Sequence, residues 1–233
     1  MCVCYQLNLP MKDIAKAFKA KPLKILWDPK EKMYPGYEAP VVMLDPANGE
    51  RVLKLMTWGM PFYDFIKKKM HNHHLFNAKS ETITEKKTFK THFQKDRVLV
   101  PVSPAFLEPK HIGAKYAQQW AIGLKPKKPF AFAGIWGKWT LTIEDQKTLD
   151  KKFAANPNYE PKKKEFDLYS VITTTPNPLV AKIHDRMPVI LDPKNYDAWL
   201  DLKIDNTSIL KSLLKSFPAE KMQAKLFEDR NNK

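Results

Sequence analysis

The sequence predicts an α+β fold: one domain around a mainly antiparallel β-sheet, with helices at its periphery. Three observations predict it. Short apolar runs rich in β-branched and aromatic residues recur along the chain, bounded by proline or polar turns. Helical patterns are fewer. Strands and helices do not alternate as parallel βαβ units require. At 233 residues with 43% hydrophobic content, the chain can bury a sizeable core without disulfides or metals.

Taken in order, the opening "CVCYQLNL" reads as a strand, which would anchor residue 2 at a sheet edge. "VVMLD", "RVLKLMTWGM", "RVLVPVSPAF", "QWAIGL", "FAFAGIWGKWTLTI" and "LYSVITTT" read as further strands. "TEKKTFKTHFQK" predicts a helix with Thr84 as N-cap and with Phe89 and Phe93 on one face. "NPNYEPKKKE" is expected as an exposed loop or hairpin tip. "PKNYDAWLDL" opens with proline, as a helical first turn does, and "NTSILKSLLKSF" sets Ile209, Leu213 and Phe217 on one stripe. The C-terminal residues are basic and weakly patterned and are expected to form a tail.

No stretch approaches the roughly 18 apolar residues of a spanning helix, and the N-terminus lacks a signal-peptide pattern. A soluble, cytoplasmic protein is expected. The formal net charge is +15, with 40 basic against 25 acidic residues. Such a field favours polyanions, nucleic acid above all. Arginine occurs only at Arg51, Arg97, Arg186 and Arg230, so an arginine inside a polar cluster stands out.

The chain has two cysteines, Cys2 and Cys4, too close to make a disulfide framework. Removal of Met1 would turn Cys2 into a 1,2-aminothiol. Its amine, with a pKa of about 7.7–8.0, is partly unprotonated near neutrality, and its thiol has a pKa of about 8.5. The amine forms a Schiff base with an aldehyde, and the thiol then closes a five-membered thiazolidine. A small buried hydrophobe is the competing role for this cysteine. In "FNAKSETI", Asn77, Lys79 and Glu81 would share a face if the strand were extended throughout. Glu108, at the end of a buried run, is a candidate acid–base group. "VAKIHDRMPVIL" interrupts an apolar run with His184, Asp185 and Arg186, and histidine moves protons near neutral pH. Trp58, Phe62 and Trp136 are candidate exposed aromatics for stacking on unpaired bases, and a place in the core is the competing and, for each taken singly, the stronger reading. Cys2 and Cys4 with His71, His73 and His74 carry soft ligands, but an i, i+2 pair on a strand chelates poorly. No metal and no cofactor is expected.

"NAKSET", "FLE", "FAGIW", "ITTTPN" and "IHDRMPVIL" follow Cys2 in an order that resembles the SOS response associated peptidase family, across roughly residues 1–202. The resemblance implies a barrel-like sheet, with 1–202 as the family domain and 203–233 as a C-terminal helix and basic tail packed on it or trailing it. It implies a DNA-damage-response protein that crosslinks abasic sites in single-stranded DNA through the N-terminal cysteine, a lyase-like enzyme. It also brings a cysteine-type peptidase activity, acting on its own N-terminus or on peptides, as the alternative. Cys2 would be the covalent residue, Asn77 would orient its amine, Glu108 would assist ring opening, and His184 would transfer protons. Lys79, Arg186, Trp58, Pro61 and Thr174 would contact DNA. The implied partner is single-stranded DNA with abasic sites, bound by a monomer without a membrane or cofactor, nucleoid-associated when on DNA. The chain departs from the family pattern at Val3 and Cys4, where Gly-Arg is usual. It departs again at Pro109, which replaces tryptophan, and at Lys79, which replaces arginine.

Overall fold

The computed structural model describes residues 2–22, 27–59, 76–112, 116–140 and 165–228. They form an α+β domain. The strands are β1 (Tyr5–Leu7), β2 (Lys30–Met33), β3 (Glu38–Leu44), β4 (Arg51–Trp58), β5 (Asn77–Lys79), β6 (Arg97–Val102), β7 (Ala105–Ile112), β8 (Tyr116–Leu124), β9 (Phe130–Thr140), β10 (Glu165–Thr174), β11 (Met187–Pro188), β12 (Ile190–Leu191) and β13 (Met222–Leu226). The α-helices are α1 (Met11–Phe18), α2 (Lys87–Lys95), α3 (Tyr196–Leu200) and α4 (Thr207–Ser212).

The strands divide between two sheets. One has five strands in the order β13-β8-β7-β1-β2, all antiparallel. The other has eight, and within it β10-β4-β3-β6-β9 form a ring that the β9–β10 pairing closes. The ring joins each of these strands to a neighbour on both sides, through one or two residue pairs at the β3–β6 and β4–β10 junctions. β4 and β5 run parallel to β10 along one of its edges, and β9 and β11 run antiparallel along the other. The C-terminal end of β10 is therefore held between β5 and β11.

The core lies between the sheets. Tyr5 of β1 packs against Trp58 and Phe132, and its hydroxyl bonds that of Tyr169 at 2.7 Å. Phe106 of β7 meets Phe132 edge-on. Arg97 is 1% exposed and spends its guanidinium on backbone carbonyls. It donates to Phe93 and Gln94 at the end of α2, and to Trp199, Asp201 and Ile204 in and after α3. The carbonyls of Phe93, Gln94 and Trp199 are ones that a helix end leaves without intrahelical partners, so one side chain caps both helices against β6.

Several expectations shift. Helix α2 begins at Lys87 with Lys86 at its N-cap, so Thr84 does not cap it. In α4, Asn206 caps the first turn and Leu210 is buried, while Ile209 is 50% exposed. The buried stripe therefore runs through Leu210, Leu214 and Phe217, one position away from that expected at its start. The C-terminal stretch expected as a tail contains β13, the edge strand paired with β8. "NPNYEPKKKE" lies almost wholly outside the described residues. Among the described residues, no helix is long and apolar enough to cross a membrane.

Candidate active site

Pairing of β1 with β7 sets Tyr5 opposite Phe106, and the Leu107 N–H donates to the Cys4 carbonyl at 2.9 Å. This lays the start of the chain along β7, beside Glu108. Cys2 is fully buried, and its thiol lies 3.9 Å from the Cys4 carbonyl oxygen. Asn77 sits on β5 opposite Val171 of β10, and its Nδ2 donates to the Cys2 carbonyl at 2.7 Å. Asn77 Oδ1 is buried without a hydrogen-bond partner among the described residues.

Glu108 is 0% exposed; the Cys2 thiol is its neighbour, and by ordinary hydrogen-bond geometry neither of its oxygens has a partner among the described residues. Burial pushes its pKa up to about 7; the N-terminal ammonium and the Cys2 thiol pull the other way. The Cys2 thiol is itself pushed well above its ordinary value, first by burial and then by Glu108 and Cys4. Burial raises Cys4 to about 11. Both sulfurs are therefore thiols at neutral pH.

His184 follows a single 3-10 turn, Val180–Lys182. Asn177 builds that turn: its Oδ1 accepts from the N–H groups of Leu179 and Val180, and its Nδ2 donates to the Phe217 carbonyl at 2.6 Å. His184 Nε2 lies 4.0 Å from Glu108 Oε2. Two groups address its Nδ1: the Arg186 N–H donates at 3.1 Å, and Asp185 Oδ1 lies at 2.8 Å. They serve different states of the ring. A neutral ring accepts from Arg186 and carries its proton on Nε2, facing Glu108, whereas a protonated ring donates to Asp185. Burial lowers the His184 pKa, as does the N-terminal ammonium, while Asp185 opposes them. Burial thus favours the neutral ring.

Four of the residues singled out in the sequence, Cys2, Asn77, Glu108 and His184, meet at this point. The residues expected to touch DNA are more dispersed. Lys79 is exposed at the end of β5, opposite Thr173. Thr174 is 5% exposed and pairs with Met187 of β11. Arg186 is engaged: its terminal nitrogens fork onto Glu81 at 2.7 and 2.9 Å, and Nη2 also donates to the Thr173 carbonyl. Glu81 lies in the turn after β5 and so leaves the face it would share with Asn77 on a longer strand. Trp58 requires a correction. It is 0% exposed, its indole N–H donates to the Phe76 carbonyl, and its ring stacks on Tyr169. Its place is the core, not a surface platform. Trp136 is partly buried, with Lys54 Nζ 4.9 Å from its ring. Pro61, Phe62, His71, His73 and His74 lie outside the described residues.

Two surface cavities, of about 320 and 220 Å³, are lined by none of Cys2, Asn77, Glu108 and His184. The smaller lies beside α2, and the larger on the outer face of the five-stranded sheet. Neither carries the convergence of titratable groups found around Glu108. Among the described residues no group of three metal-ligating side chains occurs. Asn177 and Glu81 were not foreseen as supports of the site, although Asn177 falls in "ITTTPN", where Asn-Pro after a strand signals a turn.

This is an α+β domain that gathers a thiol, a carboxyl and an imidazole at one point between two sheets. It belongs to the SOS response associated peptidase (SRAP) family, whose model matches residues 1–232. Abasic site processing protein YoqW of Bacillus subtilis (strain 168) is 30% identical over 229 residues, covering 96% of this chain and 91% of that protein. Abasic site processing protein YoaM of the same organism is 31% identical over 203 residues, covering 84% and 79%. A solved structure from Bacteroides thetaiotaomicron superposes with a TM-score of 0.78 at 23% identity, covering 98% of this chain and 93% of that one. One from Bordetella bronchiseptica gives 0.73 at 21% identity, covering 97% and 100%. These two likenesses are of fold.

Proposed function

We propose that this protein processes abasic sites by capturing them covalently on Cys2 in single-stranded DNA, once Met1 has been removed. The observation that carries the proposal is the meeting of Cys2, Asn77, Glu108 and His184. The abasic site processing relatives and the family support the substrate class.

An abasic sugar is mostly a closed hemiacetal. Opening it moves the C1 hydroxyl proton away and delivers one to the ring oxygen. A carboxyl with a pKa near 7 is suited to both transfers at neutral pH, and His184 stands next to it. The Cys2 amine then adds to the aldehyde carbon, while Asn77 fixes the Cys2 backbone through its carbonyl. Glu108 protonates the resulting hydroxyl, which leaves as water and gives an iminium. The thiol adds to the iminium carbon, and its proton returns to the Glu108 carboxylate. The product is a thiazolidine, with one water released and Glu108 restored. Fixing amine, thiol and carboxyl in one place supplies effective molarity.

The raised pKa of the Cys2 thiol works against a thiolate attack on peptides and favours this sequence, in which a neutral thiol loses its proton as it bonds. The test is to mix the purified protein with a single-stranded oligonucleotide carrying one abasic site, then run a denaturing gel and intact mass. A heat-stable adduct mapping to Cys2, absent in Cys2→Ala, is expected. Peptide turnover without any adduct would establish the peptidase alternative instead.

A further inference from the structure

Trp120 of β8 stands directly across from Glu108 of β7 in an unbroken antiparallel register. Antiparallel partners point to the same side of a sheet. On that side Phe106 and Ile122 face the core, Glu108 and Trp120 come next, and Lys110 follows toward the rim. Lys110 Nζ lies 5.8 Å from the Trp120 ring centroid. The indole N–H of Trp120 is buried and has no hydrogen-bond partner among the described residues, and the same holds for both oxygens of Glu108.

Buried polar groups in folded proteins are nearly always paired, so each orphan calls for an explanation. Here an orphan donor and an orphan acceptor belong to opposed residues, and one explanation serves both. A single small group that accepts from the indole and interacts with the carboxyl satisfies the pair. A phosphate oxygen accepts but does not donate, and an ammonium donates but does not accept. A hydroxyl does both and stays neutral in a buried place. Once it surrenders its proton to Glu108, it becomes an oxygen of rising negative charge that the indole N–H still holds.

We infer that the Trp120 indole N–H is a hydrogen-bond donor to the C1 oxygen of a ring-opening sugar, the same oxygen that exchanges a proton with Glu108. This deepens the abasic-site function proposed above and rests on it. Trp120 transfers no proton. As the C1–ring-oxygen bond breaks, Glu108 gives its proton to the ring oxygen and takes the C1 hydroxyl proton in return, and the indole keeps its own hydrogen throughout. Its effect is that of a fixed dipole aimed at developing charge, both when the ring opens and when the Cys2 amine adds to the aldehyde. Trp120 is thereby a catalytic residue, and Lys110 covers the outer face of its ring.

The test is Trp120→Phe, which keeps an aromatic ring against the core and Lys110 but removes the N–H. Three quantities are measured for wild type and variant: the saturating single-turnover rate of adduct formation, the half-saturating DNA concentration, and the thermal midpoint. Binding to an oligonucleotide with tetrahydrofuran in place of the abasic sugar, which lacks the C1 hydroxyl, is measured alongside. The saturating rate is expected to fall at least about tenfold, the loss of one preorganised donor. Half-saturation and tetrahydrofuran binding are expected to stay within about twofold, and the midpoint to hold or rise because an orphan donor has been removed. Equal saturating rates overturn the inference, as does a rate loss accompanied by an equal loss of tetrahydrofuran binding. Absence of any adduct with the wild-type protein defeats the proposed function itself and this inference with it.

Discussion

Glu81 accepts from both terminal nitrogens of Arg186, and the Arg186 backbone N–H in turn donates to His184 Nδ1. The turn after β5, the strand that holds Cys2 through Asn77, is thus tied to the turn that carries His184. The arginine is only 14% exposed, and its charge is largely answered inside the protein. In Glu81→Gln the guanidinium loses its carboxylate and becomes available to a DNA phosphate. We expect the dependence of single-strand affinity on salt to steepen by about 0.7 in log–log slope, the value of one added phosphate contact. Titration at several salt concentrations measures this, and an unchanged slope would show that Arg186 does not reach the strand even when released.

Glu108 predicts a pH dependence of stability. Its folded pKa of about 7 lies above its ordinary 4.5, so the folded state holds this proton where the unfolded chain has lost it. The stabilisation is complete below about pH 4.5 and disappears as the pH rises through 7. It amounts to on the order of 3 kcal/mol. Glu108→Gln should remove this dependence and be more stable than wild type above pH 7. Urea unfolding at pH 5 and pH 8 measures it.

Adduct formation should follow a bell-shaped pH profile. The acidic limb reports loss of a proton from the Cys2 amine, and the alkaline limb reports loss of the Glu108 proton near 7. The maximum falls near neutral pH. In Glu108→Gln the alkaline limb should vanish and the maximal rate should drop about 10²-fold. Single-turnover rates across pH provide the check.

Arg97→Met should unfold easily. It strips partners from the carbonyls of Phe93, Gln94, Trp199, Asp201 and Ile204 while keeping an apolar stem of similar length. Leaving buried carbonyls unpaired at two helix ends should cost about 3–5 kcal/mol. Chemical denaturation would reveal a loss below about 1 kcal/mol if solvent replaces the guanidinium at those ends.

Trp58→Phe separates a core role from a DNA role. Losing the bond to the Phe76 carbonyl should cost about 1–2 kcal/mol. Affinity for single-stranded DNA and its salt slope should not change. A selective loss of affinity at unchanged stability would restore Trp58 as a DNA contact.

The strands that were legible in the sequence, such as β4, β6, β9 and β10, are long and rich in β-branched and aromatic residues. β2 was not, because "KEKM" at a sheet edge carries the charges that edges favour. β11 and β12, with two residues each, carry no periodicity to read. Helix α1 was readable in principle: Pro10 precedes it, Asp13 lies in its first turn, and Ile14, Ala15 and Phe18 form its buried face. At the site, the motif residues were visible but their partners were not. Glu81 and Arg186 are 105 positions apart, and Tyr5 and Tyr169 are 164 apart. One sequence read alone does not report such meetings. Trp58 was misplaced because a tryptophan beside a glycine turn gives no sign of which side of the sheet it faces.

The burial of Cys2 fixes an order of events during synthesis. The first residues leave the ribosome long before His184 exists; at about 5–20 residues per second the delay is on the order of ten seconds or more. Throughout that interval the Met1–Cys2 bond belongs to an unfolded, accessible nascent chain. Once β7, β10 and the His184 turn arrive, Cys2 is enclosed, with none of its surface left to solvent. An aminopeptidase that acts on the nascent chain meets Met1 before any of these elements has formed. In the proposed function, trimming at that stage lays the new N-terminus along β7 as the chain folds, ahead of any encounter with DNA.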